Sequence, residues 1–308
     1  MSPTRVLVIK LGALGDIVQA LGPAAAIRTH HASARIVLLT ASPFAKFLAR
    51  APYFDEVWID ERPGLANLRG LFRLRRRLLD GRFDRIYDLQ TSSRSSFYYR
   101  LIGPGRRPEW SGIANGCSHP HDNPQRDSLH TIERQADQLR RAGIVSVPLP
   151  DLSWAAVDMT RFDLPERIMV LVPGGAAHRP EKRWKIERYA AIARFAAALG
   201  VAPVVIGGPG ERGLGAAIAA VCPEALDLTG RTELGDIVSL GQRALWAIGN
   251  DTGPMHLLVG AGAPATVLYS SASDPALTAP RGKRITILRR RNLDELAVEE
   301  VAATLPFG

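Results

Sequence analysis

Ten short apolar runs, separated by longer stretches of helical spacing, constrain this chain more than any other feature. Strands are expected at residues 5–9, 35–39, 56–59, 85–89, 168–172, 202–206, 225–227, 245–249, 265–269 and 285–288. Most of these runs are unbroken blocks of Val, Ile, Leu and Ala without polar alternation, the pattern of strands covered on both faces of a parallel sheet. Helical spacing fills the intervals at 17–30, 65–79, 131–142, 186–199, 211–220, 234–242 and 255–262. Strand and helix in repetition predict an α/β fold of doubly wound parallel sheets with right-handed crossovers.

A chain of 308 residues can bury two cores. The alternation breaks once, around Val145-Ser146-Val147-Pro148-Leu149-Pro150-Asp151. One Rossmann-like domain is therefore expected over 1–150 and a second over 151–292, with a tail at 293–308 whose helix, roughly 293–304, packs back on the first domain. Each half opens with a strand and a glycine-bearing loop, Lys10-Leu11-Gly12-Ala13-Leu14-Gly15-Asp16 in one and Pro173-Gly174-Gly175 in the other. Two open sheets of this kind are expected to hold a ligand at the carboxyl ends of their strands, in a cleft between the domains.

The net charge of +9 is unevenly distributed. Residues 1–150 contain 22 Lys and Arg against 13 Asp and Glu, whereas 151–308 contain 17 of each. Within the first half, Arg62, Arg69, Arg73, Arg75, Arg76, Arg77, Arg82 and Arg85 form a dense basic stretch. It attracts phosphate or carboxylate groups on nucleic acid, an anionic membrane or an acidic substrate. The spacing of Leu71, Leu74, Leu78 and Leu79 is equally that of a helix whose arginines face water. Cys117 and Cys222 match neither a disulfide framework nor a metal-ligand spacing, which fits a reducing compartment. The first apolar run is stopped by Lys10, too early for a signal peptide, and no run reaches membrane-spanning length; a cytoplasmic location is expected.

Three loops of the second half combine the residue types that hold a phosphorylated ligand. In Asn250-Asp251-Thr252-Gly253-Pro254-Met255-His256, Thr252 or Asp251 can cap a helix, Gly253 permits close backbone approach, and the exposed amides favour a diphosphate. Gly207-Gly208-Pro209-Gly210-Glu211 places a carboxylate at a helix start, suited to ribose hydroxyls or to the helix dipole. The loop from Gly174 to Trp184 offers Lys182 and Arg183 as phosphate-clamping cations. In the first half, Asp16 either caps the helix that follows or serves as a general base. No dinucleotide-binding glycine triplet, P-loop or nucleophile elbow occurs. His119, His121 and His130 with Asp122 and Asp127 could suggest a metal, but Pro120 and Pro124 point to a surface loop.

These residues resemble glycosyltransferase family 9, the lipopolysaccharide heptosyltransferases. The resemblance rests on Val6-Leu7-Val8-Ile9-Lys10 through Leu14-Gly15-Asp16-Ile17-Val18, on Asp84-Arg85-Ile86-Tyr87-Asp88-Leu89-Gln90, on Pro173-Gly174 with Lys182-Arg183-Trp184, on Gly207 to Glu211, and on Asn250 to Leu257. It implies a GT-B fold and an inverting, metal-independent transfer with ADP-heptose or a related nucleotide sugar as donor. It implies Asp16 as general base, and Lys182, Arg183, Glu211, Asp251, Thr252, Gly253 and His256 at the donor. The implied acceptor is the anionic, Kdo-bearing inner core of lipid A at the cytoplasmic face of the inner membrane. Lys10, Gly15, Arg62, Arg69 and Arg73 are then acceptor-side candidates, and the arginines from Arg62 to Arg77 are acceptor or membrane candidates. The inner-membrane surface is an expected partner through the basic N-terminal half, and no nucleic-acid partner is expected. The chain departs from the family at Ser270-Ser271-Ala272-Ser273-Asp274-Pro275, at Lys185 and at Ala176-Ala177, which leaves the donor sugar open. Two other readings stay compatible: an epimerase acting on the donor alone, and a non-catalytic module that binds nucleotide or anionic lipid.

Overall fold

The computed structural model describes residues 4–307 apart from 65, 104, 106 and 177. The chain divides into two compact units, Met1–Pro150 and Asp151–Gly308.

The first unit is a six-stranded parallel sheet, β1 (Arg5–Ile9), β2 (Arg35–Thr40), β3 (Glu56–Ile59), β4 (Arg85–Asp88), β5 (Glu109–Gly112) and β6 (His119–Pro120), in the order β3-β2-β1-β4-β5-β6. The chain reverses direction across the sheet between β1 and β4, where Leu7 pairs with Val37 on one side and Ile86 on the other. Leu7, Ile9, Val37, Leu39 and Ile86 are wholly withdrawn from water, which explains why these strands read as unbroken apolar runs. Burial of each such side chain contributes about 1.5–3 kcal/mol.

The second unit repeats the topology with β7 (Ile168–Val172), β8 (Ala202–Val205), β9 (Leu226–Asp227), β10 (Trp246–Asn250), β11 (Ala265–Tyr269) and β12 (Ile285–Arg289), in the order β12-β11-β10-β7-β8-β9. Its reversal lies between β7 and β10. Both sheets thus carry the Rossmann order, in which ligands sit beyond the carboxyl ends of the strands at the reversal.

Helices differ from expectation where a single residue intervenes. The helix expected over 17–30 starts earlier and is two helices, α1 (Leu14–Gln19) and α2 (Leu21–His30). Pro23 has no N–H to offer the Gln19 carbonyl and its ring crowds that carbonyl, so one continuous helix cannot form. Helices α3 (Ser42–Leu48), α4 (Leu68–Asp80), α5 (Ser93–Ile102) and α6 (Thr131–Arg141) complete the first unit. The second has α7 (Ile186–Ala198), α8 (Arg212–Val221), α9 (Leu234–Arg243), α10 (Gly253–Gly260), α11 (Pro275–Thr278) and α12 (Val298–Ala302). Tyr189, Ile192, Ala193 and Ala196 form the buried stripe of α7.

The terminal helix expected over 293–304 is a 3-10 turn, Leu293–Glu295, followed by α12. The Arg188 guanidinium binds the carbonyls of Leu293, Asp294 and Leu296, groups a continuous helix would have used for itself. Leu293, Leu296, Val301 and Leu305 are buried in the core of the second unit.

The histidine stretch is only in part the surface loop its prolines suggested: Pro120, Asp122, Pro124, Gln125, Asp127 and Ser128 are exposed, but the histidines are not loop side chains in water. His119 lies in β6, and His121 and His130 are buried. His121 Nε2 is 3.0 Å from Asp137 Oδ2, and His130 Nδ1 accepts the Ile132 amide at the start of α6. Among the described residues no group of three or more His, Cys, Asp or Glu side chains is arranged to hold a metal ion.

Candidate active site

In the second unit the loops after β7, β8 and β10 enclose a pocket of about 440 Å³, lined among others by Gly175, Arg179, Lys182, Glu211, Asp251 and Thr252. The three loops read from the sequence therefore meet in one place. Asn250, at the end of β10, joins two of them. Its Oδ1 accepts the Trp184 amide at 3.0 Å and the Tyr189 hydroxyl at 3.1 Å, and its Nδ2 donates to the carbonyls of Pro173 and Gly174 at 2.9 and 3.0 Å. All four hydrogen-bonding capacities of this wholly buried amide are used. Sequence reasoning included Asn250 in its segment but gave it no role of its own.

Glu211 joins the third loop. Its Oε1 accepts the Gly175 amide at 2.8 Å and its Oε2 the Gly208 amide at 2.7 Å. A Cβ at position 174 would stand 2.0 Å from Glu211 Oε1, so only glycine allows this contact. Glu211 is thus first a tie between the loops after β7 and β8, with lone pairs remaining for a further hydrogen bond.

Lys182 and Asp251 are paired, Nζ to Oδ2 at 2.7 Å, and Ser273 Oγ also donates to Asp251 Oδ2 at 2.7 Å. Burial pushes the Asp251 carboxyl upward, but the hydrogen bonds from Lys182 and Ser273 and the lysine charge outweigh it and hold the carboxyl below its ordinary value. Burial and then the nearby Asp251 charge raise the Tyr269 phenol. Arg183 turns inward and donates to the Gly175 carbonyl, so it braces the loop. Ala177 lies outside the described residues.

Neither Asp251 nor Thr252 caps α10 as expected. Thr252 occupies the N-cap position in extended geometry without a capping hydrogen bond, and Asp251 is committed to Lys182 and Ser273. Gly253 and Pro254 open the helix at the pocket wall, so the dipole's positive end is available to an anion. His256 is buried within α10 and does not line the pocket.

In the first unit the loop between β1 and α1 is pinned at three points. Leu11 N donates to Gln90 Oε1 at 2.8 Å, Arg62 Nη2 donates to the Leu11 carbonyl at 2.7 Å, and Ala13 N donates to Asp16 Oδ2 at 3.1 Å. Gly12 has φ +130 and packs against Phe44, a conformation and a space that exclude a side chain. Asp16 is the third residue of α1 and supports its start by accepting the Ala13 N-cap amide through one carboxylate oxygen. Leu11, Gly12, Ala13, Glu61, Arg62 and Gln90 line a pocket of about 650 Å³, and Asp16 is not among its lining residues.

The acceptor-side candidates separate. Arg62 is at this pocket and Gly15 is in the first turn of α1. Lys10 is buried, with Nζ donating to the Leu89 carbonyl at 3.1 Å. Burial lowers its ammonium, against the opposing charges of Asp16 and Asp88. Arg69 and Arg73 lie on α4, where Arg73 pairs with Glu61 at 3.1 Å. Several arginines of the basic stretch are structural. Arg75 Nε donates to the Leu101 carbonyl, Arg77 lies over the Trp58 ring at 4.3 Å, and Arg85 binds Glu109 and the Ala142 carbonyl.

The sequence pattern of glycosyltransferase family 9 (heptosyltransferase) matches residues 71–303. The chain belongs to this family. It is a glycosyltransferase with the GT-B fold. Over 329 aligned residues it is 23% identical to the lipopolysaccharide core heptosyltransferase OpsX of Haemophilus influenzae, covering 100% of this chain and 88% of the relative. A family 9 glycosyltransferase from Veillonella parvula superposes with a TM-score of 0.83 at 21% identity, covering 98% of this chain and 95% of that one. The ADP-heptose lps heptosyltransferase II of E. coli superposes at 0.79 with 22% identity, covering 98% and 97%.

Proposed function

We propose that this chain transfers a heptose from ADP-heptose to the phosphorylated, Kdo-bearing inner core of lipid A, with inversion at the anomeric carbon. Support comes from its family and from relatives whose names specify ADP-heptose and the lipopolysaccharide core. The observation that carries the reading is the pocket where Lys182, Glu211 and the uncapped start of α10 meet.

The ADP diphosphate sits against the Gly253 end of α10, with Lys182 turning from Asp251 toward phosphate. Glu211 receives the ribose hydroxyls while keeping its two amide ties. Asp16 takes the proton of the acceptor hydroxyl as the hydroxyl oxygen bonds to the sugar carbon and the bond from that carbon to the diphosphate breaks. Charge gathering on the leaving diphosphate is met by preorganised amides and the lysine cation, so the step needs no metal. Arg62 faces the anionic acceptor, and the site works at the cytoplasmic face of the inner membrane.

The test is transfer itself, followed by mass spectrometry with ADP-heptose and a Kdo-bearing lipid A acceptor. The reading expects an acceptor heavier by one heptose and no isomerised donor when acceptor is left out. Isomerisation of donor alone, or transfer only from a UDP- or GDP-sugar, overturns it.

A further inference from the structure

Helix α4 has two apolar faces. Gly70, Leu74 and Leu78 are buried on one side. On the other, Leu68 is 74% exposed, Phe72 64% and Leu79 37%. At about 3.6 residues per turn these three positions fall on a single outward stripe. Arg69, Arg73 and Arg76 follow along one flank, all on the water-facing arc. Arg76 is matched to Asp80 only by an exposed pair at 3.4 Å, and the Arg73–Glu61 pair is exposed as well. Such exposed pairs are worth at most about 1 kcal/mol and give way readily to another anion.

A helix needs one apolar face to pack on its own sheet, and a second must be explained by something outside the chain. An aromatic and two leucines bordered by arginines match the interfacial zone of a bilayer, where apolar side chains enter the acyl boundary and cations meet lipid phosphates. A protein partner would have to supply carboxylates along the arginine flank and an apolar groove beside it. A bilayer rich in acidic headgroups offers both over any area. The first unit also carries the entire charge excess of the chain, +9 against zero in residues 151–308. Among the described residues no helix is long and apolar enough to cross a membrane.

We propose that α4 is the membrane-docking element of this protein, with Leu68, Phe72 and Leu79 entering the headgroup region of an anionic bilayer and Arg69, Arg73 and Arg76 contacting lipid phosphates. This rests on the reading above for its biological setting, but the surface can be tested without any transfer reaction.

The full chain is mixed with vesicles of phosphatidylglycerol and phosphatidylethanolamine, or of phosphatidylcholine alone, and the bound fraction is read by flotation. The wild type binds the anionic vesicles and binds phosphatidylcholine at least about 10-fold more weakly. The pair Leu68→Ser and Phe72→Ser, exposed positions whose change leaves the thermal midpoint in place, lowers anionic-vesicle partition by about 10-fold or more. The triple change of Arg69, Arg73 and Arg76 to Gln does the same and removes the salt dependence. The serine pair retains turnover on a delipidated, water-soluble acceptor. Unchanged vesicle partition in the serine pair overturns the proposal. So does a wild type that ignores anionic vesicles, or one whose self-association, seen by sedimentation, is what the serine pair abolishes. Absence of transfer by the wild type would bear on the proposed function alone.

Discussion

Lys182 Nζ lies 2.7 Å from Asp251 Oδ2, with the two side chains only 15% and 11% exposed, at the point where the loops after β7 and β10 meet. The pair holds a cation ready at the pocket without leaving it unpaired in a partly dry site. The sign of its pH dependence follows from the carboxyl. A carboxylate depressed in the folded state adds stability above its unfolded value of about 3.9, and that stability is lost as pH falls through the lower folded value. Asp251→Asn should therefore cost about 3 kcal/mol at neutral pH by stranding Lys182, and should lose less stability than wild type on acidification below about pH 4. Denaturant unfolding of both proteins across that range checks this; parallel curves would contradict it.

Asn250 is the connection on which that geometry depends. Replacing it with Ala leaves the Trp184 amide and the Pro173 and Gly174 carbonyls without partners in a buried site, at a cost of about 2–4 kcal/mol. Asn250→Asp should be at least as damaging at neutral pH, because a carboxylate would face two carbonyl oxygens. Thermal midpoints and ADP affinity measured by calorimetry should fall together in both variants. Retained ADP affinity in a folded Asn250→Asp protein would show that the two loops do not need this tie.

Asp88, beside Lys10 in the first unit, has the opposite pH behaviour. Burial outweighs the Thr91, Ser95 and Gln90 hydrogen bonds and the Lys10 charge, and lifts its carboxyl to about 6. A folded value above the unfolded one means the native state holds the extra proton, so stability declines as pH rises from about 4 through about 6. At about 1.4 kcal/mol per pH unit, keeping Asp88 charged costs about 3 kcal/mol. Asp88→Asn retains the Oδ1 that accepts the Gln90 and Thr91 amides. It should flatten stability over that window and stabilise the protein above it, as read by urea midpoints at about pH 4.5 and about pH 7.5. An unaltered slope would contradict the assignment.

How much of this was legible in the sequence depended on how local the cause was. Strands buried on both faces declare themselves as apolar runs, so β1, β2, β7 and β11 were readable. β5 was not, because Glu109-Trp110-Ser111-Gly112 contains no aliphatic residue and is held by Trp110 and its neighbours. No helix was expected at α5, which begins with serines that form a capping box from Ser92 to Ser95, or at α3, which carries Pro43 in its first turn. Glycine and charge after a strand marked the loops of Lys182, Glu211 and Asp251. The office of Asn250 was hidden, since its partners lie 61 to 77 positions away. The structural duties of Arg75 and Arg77 were hidden likewise, because a run of arginines looks the same whether it meets water, carbonyls or a tryptophan ring.

The central claim, that Asp16 removes the acceptor proton while the second unit holds the donor, is tested most directly by Asp16→Asn. Turnover with ADP-heptose and a Kdo-bearing acceptor is measured alongside ADP affinity by calorimetry. The account predicts a loss of at least about 10²-fold in turnover with ADP affinity unchanged. Near-normal turnover in that variant would contradict it.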